Sequence, residues 1–203
     1  MPVPALLSHR AAKPVVFGLM LLPFLWLLYA TITNRLGANP AEALIRASGD
    51  WTLRALCLVL AVTPLRVMMA TPALARLRRM LGLFVYFYVV LHLLSYSGFD
   101  MGFELTDIAK DIAKRPFILV GFSAFVLLTL LAATSFNRAI RWLGGKRWQG
   151  LHRLVYAVAG LALLHFFWMR SAKHNYAEVL AYAAVLALLL GWRAVRYLKK
   201  SHR

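Results

Sequence analysis

The sequence predicts an all-α integral membrane bundle of about six transmembrane helices. Three observations predict it: 62% of the residues are hydrophobic, six apolar stretches approach bilayer length, and Lys and Arg collect at alternate ends of those stretches. Soluble domains are usually about 45–50% apolar, and the excess cannot be hidden inside one globule of 203 residues. A helix needs roughly 20 apolar residues to cross the hydrocarbon core, where its backbone groups must be satisfied within the helix.

The spans are expected at about residues 14–33, 51–70, 80–97, 117–135, 151–169 and 177–195. The first is too long for a signal-peptide core and has no small-residue cleavage site after it, so it is kept in the mature protein. Little chain remains for a soluble domain, and residues 1–203 are expected to form a single membrane domain.

Orientation follows from the basic residues, because Lys and Arg accumulate in cytoplasmic loops. One face carries Arg10, Lys13, Arg66, Arg76, Arg78 and Arg79, the 137–153 loop with Arg138, Arg141, Lys146, Arg147 and Arg153, and the C-terminal Arg193, Arg196, Lys199, Lys200 and Arg203. That face is assigned to the cytoplasm, with both termini. The other face holds Arg35, Arg46, Arg54, Lys110, Lys114, Arg115, Arg170 and Lys173 with all seven acids, and is nearly neutral. The formal charge of +17 does not point to nucleic acid, since the basic residues sit at helix ends and not on one soluble patch. Anionic lipid head groups are the expected partner. The single Cys57 excludes an intramolecular disulfide framework and reads as a small buried apolar residue.

Ionisable groups inside a membrane are costly and usually functional, which turns attention to three of the six histidines. His9, His174 and His202 fall in tails or loops and read as solvated. His92, in LHLLSY, and His165, in LLHFFW, each sit about five residues before the outer end of their spans. Spans three and five both run from inside to outside, so the two imidazoles are expected at matching depth, facing across one gap. Neutral imidazole is a normal axial ligand of haem iron, and a pair on facing helices can hold a porphyrin in a bundle core. Ala157, Ala159, Gly160 and Ala162 leave room beside span five, and Tyr86, Phe87, Tyr88, Phe166, Phe167 and Trp168 offer aromatic walls. The plainer readings are helix packing for the small residues, an interfacial belt for the aromatics, and a hydrogen-bonded structural role for each histidine.

His152, in LHRLVY, lies at the inner end of span five, about 20 Å along the axis from His165 at 1.5 Å per residue. Its opposite number on span three is Arg78, a poor iron ligand while protonated but able to clamp a haem propionate. On one ideal helix His152 and His165 point roughly 140° apart. A second haem, a five-coordinate site, a His/Arg site and support of another cofactor all stay open for His152. Arg54, early in span two, is a candidate propionate partner through charge-assisted bonds, with snorkelling to the head groups as its alternative.

Beyond these residues, long segments resemble a known family: LLPFLWLLYA at 21–30, LGANPAEALIRASGDWTLRALCLVLAVTPLR at 36–66, RRMLGLFVYFYVVLHLLSY at 78–96, RPFILVGF at 115–122 and WQGLHRLVYAVAGLALLHFFW at 148–168. The chain resembles the MsrQ (YedZ) family of haem-binding membrane subunits of the periplasmic protein-methionine-sulfoxide reductase system, within the ferric-reductase-like transmembrane group. The resemblance implies haem b, one or two per chain, bound through His92, His152 and His165. It implies electron transport across the bacterial inner membrane to a periplasmic molybdopterin methionine sulfoxide reductase, which itself repairs the oxidised protein. It implies the quinone pool or a cytoplasmic flavin reductase as donor, and bound FMN, which no spacing or composition indicates. The basic 137–153 loop suits an FMN phosphate, but the positive-inside rule alone explains it.

No G-x-G-x-x-G follows a strand and no soluble extension offers a nicotinamide site, which argues against an autonomous ferric reductase or NADPH oxidase. No cysteine cluster suggests an iron–sulfur centre. The rival functions are a quinol-oxidising or ferric-reductase-type membrane cytochrome with another acceptor, and a non-redox membrane scaffold or transporter. Against the last, the span interiors carry almost no acidic residues and no paired Gly/Pro interruptions, although Pro23 and Pro64 can kink spans one and two.

Overall fold

The computed structural model describes residues 9–171 and 176–201, which are helices and turns without a strand. His174 and His202, read above as solvated, lie outside the described residues. Among the described residues, six helical stretches are long and apolar enough to cross a membrane: Ala12–Ile32, Pro40–Met68, Pro72–Asp100, Pro116–Ala133, Gly145–Ser171 and Ala177–Lys199. The expected all-α class and the six expected spans are therefore present. The chain divides into two compact units, one ending at Glu104 and one beginning at Leu105.

In the first unit, α1 (Ala12–Ile32) contains Pro23. Helix α2 (Pro40–Met68) starts well before the apolar run expected at residue 51. The cause is local: Asn39 caps the helix by accepting the Glu42 backbone N–H at 3.1 Å, Pro40 is pre-shaped for the first turn, and Glu42 meets the positive end of the helix dipole. Glu42 also pairs with Arg46 one turn on. The chain leaves α2 through Ala70, at φ 48, passes a 3₁₀ turn over Pro72–Leu77 and enters α3 (Arg78–Ser95). Five residues of π-helix, Tyr96–Asp100, close the span.

Packing of α2 on α3 makes the core of this unit. Leu53, Leu56 and Leu60 from α2 are buried, as are Leu81, Phe84, Val85 and Tyr88 from α3. The α3 stripe follows the three- and four-residue spacing of one helix face. Tyr88 is fully buried and donates its hydroxyl to the Met20 carbonyl at 2.6 Å, tying α1 to the pair. Its ring stacks on Trp51 at 6.1 Å.

The second unit opens with α4 (Leu105–Lys114), whose charged side is laced by Lys110–Asp107 and Arg115–Asp111 ion pairs. Leu105, Ile108, Ala109 and Ile112 share the other side, the pattern of a helix lying in a membrane interface. Pro116 then begins α5 (Pro116–Ala133). Two short helices, α6 (Asn137–Leu143) and α7 (Gly145–His152), are joined at Gly144, whose φ of 74 suits a residue without Cβ. Helix α8 (Val155–Ser171) packs on α5, and α9 (Ala177–Ser201) follows. An Arg170–Glu178 ion pair and a Phe166–Tyr182 edge-to-face contact at 5.7 Å hold α9 to α8.

The fifth span departs from expectation. It is not one helix from residue 151 but α7 and α8 separated by a turn at Arg153 and Leu154. The angle of roughly 140° between His152 and His165 presupposed one ideal helix and does not apply.

Candidate functional site

His92 continues the buried face of α3, one turn beyond Tyr88. There its Nδ1 lies 2.8 Å from the Ile45 carbonyl oxygen of α2. Ser48 Oγ is 3.0 Å from the same oxygen, but its one hydrogen has a closer acceptor in the Leu44 carbonyl at 2.7 Å. On α8, His165 follows Val158 by two turns on the face that buries Val158 and Ala159. Its Nδ1 lies 2.7 Å from the Phe117 carbonyl oxygen of α5, with the Phe117 ring tilted against the imidazole at 6.3 Å.

A carbonyl only accepts, so Nδ1 carries the proton in both rings. In a neutral imidazole the lone pair is then on Nε2. This is the outer-shell arrangement that orients histidine ligands in metal sites: one ring nitrogen bound to a carbonyl, the other directed at the metal. The donor chemistry of His92 and His165 fits haem iron. Among the described residues, no three or more His, Cys, Asp or Glu side chains converge on a common metal-ion site.

His152 is held differently. Its Nε2 lies 3.3 Å from Thr134 Oγ1, and that hydroxyl donates to the Leu130 carbonyl at 2.8 Å, so the ring nitrogen donates to the hydroxyl oxygen. Trp148 stacks on the imidazole at 4.0 Å and donates its indole N–H to the Thr134 carbonyl at 2.8 Å. Thr134 is the C-cap of α5, and the Trp148 indole satisfies a carbonyl that the helix end leaves open. Replacing Trp148 by Phe keeps an aromatic ring and removes the donor. The expected cost is about 1 kcal/mol, read as a lowered unfolding midpoint in detergent.

The two candidate arginines have partners within the first unit. Arg78, the first residue of α3, donates from Nη2 to Thr63 Oγ1 at 3.1 Å. It stands about 20 Å along the helix from His92, at 1.5 Å per residue. Arg54 is exposed, with its guanidinium 4.8 Å from the centre of the Trp51 ring, an arrangement of the cation–π kind. An open cavity of about 730 Å³ in the same unit is lined by Lys13, Phe17, Arg76, Arg79, Phe84 and Phe87, among others. The carbonyls of Ile45 and Phe117 escaped the reading of the sequence because a backbone acceptor has no side-chain signature. Thr134 and Trp148 escaped it because their pairing depends on the turn after α5.

Comparison with known proteins agrees with this picture. The family described as "Ferric reductase like transmembrane component" matches residues 48–163. A "Protein-methionine-sulfoxide reductase heme-binding subunit MsrQ" from Polaromonas naphthalenivorans is 71% identical, covering 97% of this chain and 90% of its own. The protein of the same name from Ralstonia nicotianae is 52% identical over 93% of this chain and 90% of its own. The one from Rhodospirillum rubrum is 46% identical over 92% and 88%. No solved structure matches. Identity of this extent, along nearly the whole length of both partners, means that the chain belongs to the MsrQ family of ferric-reductase-like transmembrane proteins.

Proposed function

We propose that this chain is a b-type cytochrome subunit that passes electrons across the bacterial inner membrane. The donor is quinol or a cytoplasmic flavin reductase, and the acceptor is a periplasmic molybdopterin methionine sulfoxide reductase that repairs oxidised proteins. Family membership supports the reading, since relatives carry the words "heme-binding subunit" in their names. The observation that supports it at the level of residues is the pair of Nδ1-to-carbonyl hydrogen bonds of His92 and His165, which put the lone pair of each neutral ring on Nε2, the nitrogen assigned to iron in this proposal.

Bound haem supplies a one-electron Fe(III)/Fe(II) couple. The chain's own contribution is to hold two neutral imidazoles in one tautomer among apolar spans, where water cannot compete for iron. Arg54 and Arg78 are the propionate partners in this proposal, which admits one haem or two, with His152 either ligating the second or supporting another cofactor. FMN enters from the family resemblance alone. The cavity flanked by Lys13, Arg76 and Arg79 suits an anionic lipid head group at the membrane surface.

The test is the spectrum and reduction of the purified protein. A reducible b-type spectrum is expected, with reoxidation by the partner reductase in the presence of methionine sulfoxide. Reduction by a quinol without a flavin enzyme assigns the donor to the quinone pool. A colourless protein from haem-replete cells overturns the proposal. Haem counted per chain in His152→Ala settles that residue: a lower count with the His92 signal intact establishes a second site, and an unchanged count leaves the ring as a lock on the end of α5.

A further inference from the structure

We infer that Gly49 and Gly121 are positioning residues, two matching seats in which the absence of a Cβ lets His92 and His165 reach their carbonyls. The seats are properties of the helix pairs themselves, and only their effect on iron rests on the function proposed above.

The geometry begins with the α-helix. A helical carbonyl at residue i already accepts the N–H of residue i+4: Gly49 for Ile45, and Gly121 for Phe117. A second donor must approach the oxygen from the side. In a helix each Cα–Cβ bond tilts toward the N-terminus, so a side chain at i+4 leans into the space beside that carbonyl. A Cβ at Gly49 would stand 3.1 Å from His92 Cε1 and 3.2 Å from Nδ1. One at Gly121 would stand 2.8 Å from His165 Nδ1 and 2.9 Å from Cε1. The first contact needs a yield of a few tenths of an ångström, and the second is closer than real Cβ atoms come.

Glycine occurs in each of the six spans, so what marks Gly49 and Gly121 is the histidine that a Cβ there would meet. Among the other glycines within spans, a Cβ at Gly18, Gly82, Gly145, Gly150, Gly160 or Gly191 would meet nothing within 4 Å, and one at Gly98 would meet the Phe103 ring at 2.9 Å. The repetition is the second argument. Histidine follows its carbonyl by 47 residues in the first unit and by 48 in the second, and each time glycine occupies the position four residues after that carbonyl. The same device is built once in each unit. It fixes the plane and tautomer of each imidazole, and the hydrogen bond strengthens Nε2 as a donor to iron.

Gly49→Ala, Gly121→Ala and a Gly18→Ala control test this in the full chain purified from haem-replete cells. Haem content, the low-spin electron paramagnetic resonance signal and the midpoint potential are measured for each. Gly121→Ala is expected to lower haem affinity about 10–100-fold, the usual cost of losing an outer-shell partner of a metal-bound histidine. Gly49→Ala is expected to keep haem but shift the resonance and the potential, while Gly18→Ala matches the unaltered protein. Should Gly121→Ala aggregate, Gly49→Ala with its milder contact still decides. Wild-type content, resonance and potential in both variants overturn the inference. If the unaltered chain carries no haem, ¹⁵N resonances of labelled histidines test the seats alone. An Nδ1–H tautomer that Gly121→Ala abolishes at His165 upholds them, and a tautomer unaffected in both variants overturns them.

Discussion

Replacing His165 by Ala is expected to remove the b-type haem signal from the purified chain, and His92→Ala to remove the same signal. Each substitution deletes a proposed iron donor, the ring that bonds a carbonyl at 2.7 Å or 2.8 Å. Loss of an outer-shell partner alone costs up to about 100-fold in metal affinity, and loss of the ligand itself is expected to exceed that. The measurement is haem per chain with the reduced-minus-oxidised spectrum. Retention of a normal spectrum by both variants would show that iron is held elsewhere. If each variant lost a different signal, the two histidines would serve separate haems.

The second large effect is expected at Tyr88, one turn below His92. Its ring is 0% exposed and touches Trp51, Phe84 and Phe87. Tyr88→Ala opens a cavity at the meeting of α1, α2 and α3, expected to cost about 3–5 kcal/mol and to weaken haem retention through α3. Tyr88→Phe keeps the ring and loses only the bond to the Met20 carbonyl, worth about 0.6 kcal/mol on the average for hydrogen bonds between membrane helices. Equilibrium unfolding in mixed micelles separates the two variants. Equal midpoints for them would mean that packing of the ring contributes little.

How far the sequence carried this reading differs from element to element. The six spans were legible because length and apolarity alone decide whether a helix can cross a bilayer, and the family was legible from extended similarity. The early start of α2 was written in Asn39, Pro40 and Glu42, yet a search for apolar runs begins at Trp51 and passes over a capping signal in polar sequence. The turn between α7 and α8 was not legible, since Leu151–Leu154 contains neither Gly nor Pro and its geometry depends on how His152 and Trp148 engage Thr134. His92 and His165 stood out as ionisable groups in apolar spans. Their carbonyl partners could not, because the choice of Ile45 and Phe117 depends on the register of one helix against its neighbour.

Helix α4 carries two acids and two lysines, Asp107, Lys110, Asp111 and Lys114, within ten residues. Those charges cancel, so neither ionic strength nor the proportion of acidic lipid has much purchase on where it rests. At a membrane surface its depth is then expected to be set by Leu105, Ile108 and Ile112, as a float rides at a height set by grease and not by salt.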